Sequence, residues 1–215
     1  KTLFYARKHT RAKTFDTDDF DKLKPNEVID GTSLYFRQGR NQLLDLLFLQ
    51  QREFFDVGVW SSLDKDKTSA FAKIYFERYY KNLVFVSATR REEYEGVKST
   101  HSLDPLPVKR DINQLFEKFP THDLNSTIVV SNFPNLLQNY QMNDLVLKQY
   151  DPQLLGAKFI VDYSLFALAK YLSGVKVLTT SKGINDVRQV LMTKSFDDTL
   201  ARIENHQMGF MVYKQ

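Results

Sequence analysis

Short apolar runs alternate along this chain with segments that carry a helical hydrophobic pattern. Strands are predicted for the apolar runs, which are Thr2 to Ala6, Ser33 to Arg37, Phe54 to Trp60, Leu83 to Ser87, Thr127 to Val130 and Leu145 to Leu147. Helices are predicted after Gly39, at Lys67 to Tyr80, at Ile112 to Phe119 and in the tail at Leu154 to Leu172 and Asp186 to Ile203. Because strands that alternate with helices are typical of a sheet covered on both faces, we predict an α/β fold with a mainly parallel central sheet.

The order of these elements predicts a core domain over residues 1–153 and a C-terminal helical extension over residues 154–215, packed on the same core. The most apolar segment of the tail is interrupted by Lys158, Asp162 and Lys170, so it is not predicted to span a membrane. Residues 90–108 are charged and contain Pro105 and Pro107, which predicts an excursion over the surface.

The composition is that of a folded domain: 42% of the 215 residues are hydrophobic and 26% are charged. The absence of cysteine excludes disulfides, thiolate metal sites and a cysteine nucleophile. The four histidines are scattered without ligand spacing, so we expect no metal. A net charge of +4 suits an acidic partner without requiring one.

Polar side chains stand where several predicted strands end or helices begin. They are the groups Tyr5-Ala6-Arg7, Ser61-Ser62, Lys109-Arg110-Asp111 and Ser131-Asn132. In a parallel sheet the carboxyl ends of the strands meet at one edge, and ligands bind there. We therefore expect a candidate site at that edge.

The contexts of these groups resemble the C-terminal-domain phosphatase branch of the haloacid dehalogenase superfamily. The segment from Ser33 to Gly39, the helix after it and the strand ending in Ser61-Ser62 are similar to that family's arginine-proline-glycine, helix, strand and hydroxyl pattern, with Gln38 in place of the proline. The Lys109-Arg110-Asp111 helix start and the strand ending in Ser131-Asn132 are similar to its next two motifs. The resemblance implies a haloacid-dehalogenase-like three-layer sandwich.

The tail, with Asp162, Phe166 and the run from Asn185 to Leu191, is similar to the presequence receptors of the mitochondrial inner-membrane translocase, which are members of this family. This resemblance implies a mitochondrial location, at the inner membrane, in the intermembrane space or in the matrix. It also implies protein partners in a multi-subunit complex and contact with targeting peptides.

Phosphatases of this family need a nucleophilic aspartate, a second aspartate as acid/base and a further carboxylate for magnesium. The resemblance places Tyr5 at the nucleophile, Arg7 at the acid/base and Ser131, followed by the matching Asn132, at the metal carboxylate. Ser61 or Ser62 stands at the phosphate-binding hydroxyl, and Lys109 or Arg110 at the lysine. Since an arginine repels a metal ion and a neutral phenol is a poor nucleophile, we predict a degenerate fold without catalysis, metal or cofactor.

Two alternatives remain open at this stage. Asp16 and Asp18 have the spacing of a nucleophile and its acid, although no apolar strand precedes them, and they would make the chain an active magnesium-dependent protein phosphatase. The second alternative is a structural subunit of a large mitochondrial assembly, either a respiratory complex or the ribosome. A nucleic acid partner is expected only in the ribosomal case.

Overall fold

The computed structural model describes residues 3–8, 23–61, 63–88, 111–133, 137, 141–152 and 161–212. Side chains are described in these ranges except at Phe4, Tyr5, Arg7, Lys8, Gln141 and residues 207–212. The fold is mixed α/β, as the alternation of apolar patterns predicts. Its described sheets are short, and both parallel and antiparallel pairings occur.

The chain divides into two compact units. The first unit comprises Lys1–Leu43, His122–Pro134 and Met142–Gln215, and the second comprises Leu44–Thr121 and Asn135–Gln141. The helical tail therefore belongs to the same unit as the first strands.

The first unit opens with an antiparallel sheet in the order β1-β3-β2. The strands are β1 (Phe4–Lys8), β2 (Glu27–Ile29) and β3 (Thr32–Phe36). The Asp30-Gly31 pair is a sequence signal that predicts a turn. The tight connection between β2 and β3 uses these two residues, both with positive φ. Strand β3 is the buried centre of this sheet because it pairs with strands on both sides.

The described part of the first unit also contains a second pair of strands and three α-helices. Strands β6 (Val129–Ser131) and β7 (Asp144–Val146) run parallel, and the ladder continues with a hydrogen bond from Leu147 N to Ser131 O at 2.7 Å. The helices are α4 (Ser164–Lys182), α5 (Val187–Thr193) and α6 (Phe196–Val212). Their buried residues include Leu165, Leu168, Tyr171, Val175, Val190 and Leu200.

In the part of the second unit that the structure describes, there is one parallel strand pair together with helices. Its elements are the end of α1 (Arg40–Asp45) with a π-helical turn Leu46–Gln50, β4 (Gly58–Ser61), α2 (Lys65–Phe76) with a 3-10 turn Glu77–Asn82, β5 (Phe85–Ala88) and α3 (Asn113–Lys118). Strands β4 and β5 are parallel neighbours. Phe48 stacks on Tyr79 with 5.1 Å between ring centroids and meets Phe76 edge-on, which builds an aromatic core.

The sequence predictions differ from the structure at several places, and strand β2 is not among the predicted elements. The apolar run from Phe54 is strand only from Gly58, because the backbone N–H groups of Phe54 and Phe55 donate to Gln51 O at 3.0 and 3.2 Å in the preceding turn. In the tail, α4 runs on to Lys182 and ends at Gly183, and a break at Lys194 divides the predicted last helix in two. The described strands form separate short sheets, with β1 antiparallel to β3.

Candidate functional site

The predicted site positions are distributed over both units. Tyr5 and Arg7 lie in β1, where their backbones pair with Tyr35 and Ser33 of β3, and their side chains are not among the described ones. Ser131 and Asn132 lie at the end of β6 in the same unit, whereas Ser61 ends β4 in the second unit. Ser62, Lys109 and Arg110 lie outside the described residues, as do Asp16, Asp18 and the predicted excursion at 90–108.

Ser131, at the predicted metal-carboxylate position, has a hydroxyl that is engaged in local hydrogen bonds. Its side chain is buried, and Oγ lies 2.9 Å from Phe133 O and 3.0 Å from Asp144 Oδ1. A hydroxyl has one proton, so the two acceptors share it, while the backbone N–H of Phe133 donates to Oγ at 3.3 Å. The serine therefore ties the end of β6 to its own loop and to the start of β7.

Ser61, at the predicted phosphate-hydroxyl position, makes a local turn of the same kind. The backbone N–H of Leu63 donates to Ser61 Oγ at 3.1 Å, which fixes the exit of β4 towards α2. The next residues start the helix, because Asp64 accepts a hydrogen bond from Lys67 N at 2.8 Å as its N-cap. A salt bridge with the Lys67 ammonium at 2.8 Å, together with the same cap, lowers the pKa of Asp64.

Arg37, the arginine of the motif after β3, is the centre of a buried polar cluster. Its Nε donates to Asp162 Oδ2, and its Nη2 donates to Lys148 O at 2.7 Å and to Ser164 Oγ at 3.0 Å. The backbone N–H of Ser164 donates to Asp162 Oδ1 at 2.9 Å, so both carboxylate oxygens have donors. Arg37 is 2% exposed and Asp162 is 8% exposed, so the charges neutralise each other away from water.

Tyr150 closes this cluster on one side. The guanidinium of Arg37 lies 5.5 Å from its ring centroid, and its hydroxyl donates to Phe36 O at 3.0 Å. Burial is the main cause that raises the pKa of Tyr150 to about 12, and the charge of Asp162 is the second cause. The charge of Arg37 acts in the opposite direction. The phenol is therefore a neutral donor at physiological pH and not a nucleophile.

Gly39, the last residue of the Arg37 to Gly39 segment after β3, is a glycine for a steric reason. Its φ is +82°, and a Cβ atom there would lie 2.9 Å from both the backbone nitrogen and a ring carbon of Phe166 at the start of α4. Glycine is the residue that tolerates both the left-handed backbone and this close approach. The segment from Arg37 to Gly39 thus docks the end of β3 on the beginning of α4.

The contacts of Ser131, Ser61, Arg37 and Gly39 described above link secondary-structure elements to one another. Within the described part of the chain, no group of three or more His, Asp or Glu side chains is placed to hold a metal ion. None of the described helices combines the length and apolar character needed to cross a bilayer.

Comparison with protein families and with curated protein sequences finds no match for this chain.

Two partners in these clusters were not predicted from the sequence. Asp162 is the counter-charge of Arg37, and Asp144 shares the proton of Ser131. A signal for Asp162 exists, since a carboxylate that interrupts an apolar segment usually has a buried cationic partner. Asp144 carries no such signal, because it precedes a short strand in polar surroundings.

Proposed function

We propose that this chain is a non-catalytic, phosphatase-like interaction domain of a mitochondrial membrane-associated complex, similar to the presequence receptor of the inner-membrane translocase. The proposal includes the finer fold, a haloacid-dehalogenase-like three-layer sandwich with a mainly parallel central sheet. It also includes a location at the inner membrane or in the intermembrane space, with protein partners.

One observation carries the proposal: the end of β6 holds a serine where phosphoryl transfer needs a metal-binding carboxylate. The hydroxyl of Ser131 is buried and shared between Phe133 O and Asp144. Together with Tyr5 and Arg7 at the other two carboxylate positions, this arrangement supplies neither a nucleophile nor a magnesium ligand.

The sign of the charge favours a second candidate, a fixed structural subunit of a respiratory complex or of the mitochondrial ribosome. Targeting presequences are basic, and the net charge of this chain is +4, so mutual repulsion works against a receptor role. Exposed apolar side chains such as Val28, Val177 and Met192 suit the permanent contacts of a subunit.

The enzymatic part is tested by magnesium-dependent hydrolysis of an aryl phosphate by the purified chain, with a Ser61→Ala, Ser62→Ala double variant as control. We expect no turnover above background in either protein. Turnover that requires magnesium and disappears in the control would overturn the proposal, and Asp16 and Asp18 would then be the catalytic pair to test.

The interaction part is tested by native electrophoresis and sedimentation of mitochondrial extracts from cells that express the tagged full-length protein. Co-migration with the translocase channel supports the receptor-like role. Co-migration with a respiratory complex or with ribosomes, the latter released by high salt, supports the structural role instead. A protein that is not found in mitochondria overturns both.

A further inference from the structure

A half-open pocket of about 450 Å³, called the cavity below, lies in the second unit, next to α2, the 3-10 turn after it and β5. Volumes of this size are typical of sites for small organic molecules. Among the degenerate active-site positions whose side chains the structure describes, neither Ser61 nor Ser131 nor Asn132 lines it.

The charged residues that the structure describes in the cavity lining are of one sign. Lys65 and Lys81 are lysines, and no carboxylate is among the described lining residues. Neither lysine has an ion-pair partner in the part of the chain that the structure describes. Lys67, two residues further along the helix than Lys65, differs because it is paired with Asp64. The cavity thus carries positive charge that no described acidic group neutralises.

Hydroxyl groups on the same wall add a hydrogen-bond donor. Ser69 Oγ and Tyr80 Oη lie 3.1 Å apart, and one hydrogen bond between them uses one of their two protons. The other O–H has no acceptor in the described part of the chain and is available to a ligand. Lys73 Nζ lies 5.8 Å from the Tyr80 ring centroid and contributes further positive charge near this wall.

The remaining wall is apolar and consists of Leu83, Val86 and Ala88 on and just before β5. Apolar surface of this kind is stabilised when a ligand covers it and removes it from water. A free inorganic ion would leave this wall uncovered, so the lining fits a molecule with an anionic group and a compact apolar body.

We propose that this cavity binds a small organic anion, in which a carboxylate or phosphate faces Lys65 and Lys81 and an apolar ring or chain covers Val86 and Ala88. The shared chemistry is an oxygen anion that accepts hydrogen bonds from ammonium and hydroxyl donors. The proposal is independent of whether the domain belongs to a translocase or to another assembly.

The test is a titration of the full chain with phenyl phosphate, benzoate, inorganic phosphate and benzyl alcohol, followed by calorimetry or amide chemical shifts. We expect the two aromatic anions to bind more tightly than either inorganic phosphate or the neutral alcohol. The substitutions Lys65→Gln and Lys81→Gln should each weaken binding about two- to fivefold, as for partly exposed charge pairs.

Two further variants keep the result independent of folding and of net charge. Lys118→Gln removes an exposed positive charge on α3, outside the cavity lining, and should leave the affinity unchanged. Ala88→Leu fills part of the cavity without changing its charge and should weaken the binding of phenyl phosphate. Equal loss in Lys118→Gln, binding of benzyl alcohol as tight as that of benzoate, or no saturable binding of any probe would each overturn the proposal.

Discussion

The guanidinium of Arg37 and the carboxylate of Asp162 form a buried ion pair between positions 125 residues apart in the chain. Arg37 follows β3, and Asp162 lies two residues before α4 begins at Ser164. The pair therefore joins the antiparallel sheet to the helical tail within the first unit. Because Ser164 and the carbonyl of Lys148 complete the hydrogen bonding, the junction is held by a network and not by charge alone.

Removal of either charge should strongly destabilise the chain. Asp162→Asn keeps the shape of the side chain and leaves the Arg37 guanidinium buried without a counter-charge, which costs about 3–5 kcal/mol. Arg37→Met should cost a similar amount, because the Asp162 carboxylate is then uncompensated. The measurement is the free energy of unfolding in urea, followed by far-UV circular dichroism at neutral pH.

The double variant Arg37→Met, Asp162→Asn tests whether the cost arises from the unpaired charge. We expect it to be more stable than either single variant, since no charge is left buried. If the loss of stability in the double variant equalled the sum of the two single losses, the two charges would not be a coupled pair. As a control, Ser164→Ala removes one neutral partner and should cost only about 1 kcal/mol.

Gly39, packed against the start of α4, and Gly183, at the far end of that helix, provide a matched pair that tests the backbone requirement at this junction. Both have positive φ, but a Cβ atom would collide with Phe166 at Gly39 and would meet nothing within 4 Å at Gly183, after the end of α4. Gly183→Ala should cost about 1–2 kcal/mol for the left-handed backbone. Gly39→Ala should cost clearly more, because overpacking adds about 1–3 kcal/mol. Equal losses of unfolding free energy in the two variants would show that Phe166 shifts to accommodate the added Cβ atom at no cost.

The sequence predicts the local features of this fold and misses its long-range pairings. The turn at Asp30-Gly31 and the helix after Gly39 depend on neighbouring residues, and both are found where they are predicted. The antiparallel pairing of β1 with β3 is not fixed by any short-range signal, because the hydrophobic pattern of a strand does not state the direction of its partner.

The same distinction holds for the candidate site. The identities of Ser61 and Ser131 can be read from the sequence, but their hydrogen bonds depend on turns that form only in the fold. The pairing of Ser131 with Asp144 requires that β6 and β7 lie side by side, which no pattern in either strand indicates.

Introduction of a carboxylate at the end of β6 should destabilise the chain. Ser131→Asp places a second carboxylate beside Asp144, in a buried position where the serine hydroxyl now donates. Like charges in one site repel and raise the pKa of one of them, so the loss should be larger at pH 8 than at pH 5. We expect a cost of about 2 kcal/mol or more at pH 8, measured by urea unfolding.

Ser131→Ala and the double variant Ser131→Asp, Asp144→Asn are the controls for this effect. The alanine variant loses only the hydroxyl and should cost about 1 kcal/mol, and the double variant should regain most of the stability lost by the aspartate. If magnesium alone restored Ser131→Asp to the stability of the parent chain, the site would be a latent metal site, and this would count against the proposed loss of phosphatase chemistry.

Two buried tyrosines should make the first unit sensitive to alkaline pH. Burial, with the charge of Asp162 as the next cause, raises the pKa of Tyr150 to about 12, and burial raises the pKa of Tyr171 to about 12. Their hydroxyls donate to Phe36 O at 3.0 Å and to Lys194 O at 2.7 Å, which holds both phenols in the neutral form. In the unfolded chain the same groups release their protons near pH 10.

Between pH 10 and pH 12 the unfolded state therefore binds fewer protons than the folded state, and stability falls as the pH rises. The stabilisation is fully present below pH 10, and its loss amounts to at most about 2.7 kcal/mol for each tyrosine by pH 12.

The variants Tyr150→Phe and Tyr171→Phe should each lose about 1 kcal/mol at pH 8 because one hydrogen bond is missing. Each should also show a shallower decline above pH 10 when urea unfolding is measured at intervals up to pH 11.5. Lysine side chains also lose protons in this pH range. Because the parent chain and both variants contain the same lysines, the difference in slope between parent and variant reports the contribution of the tyrosine. Parallel curves for the parent chain and both variants would show that these phenols do not control the alkaline transition.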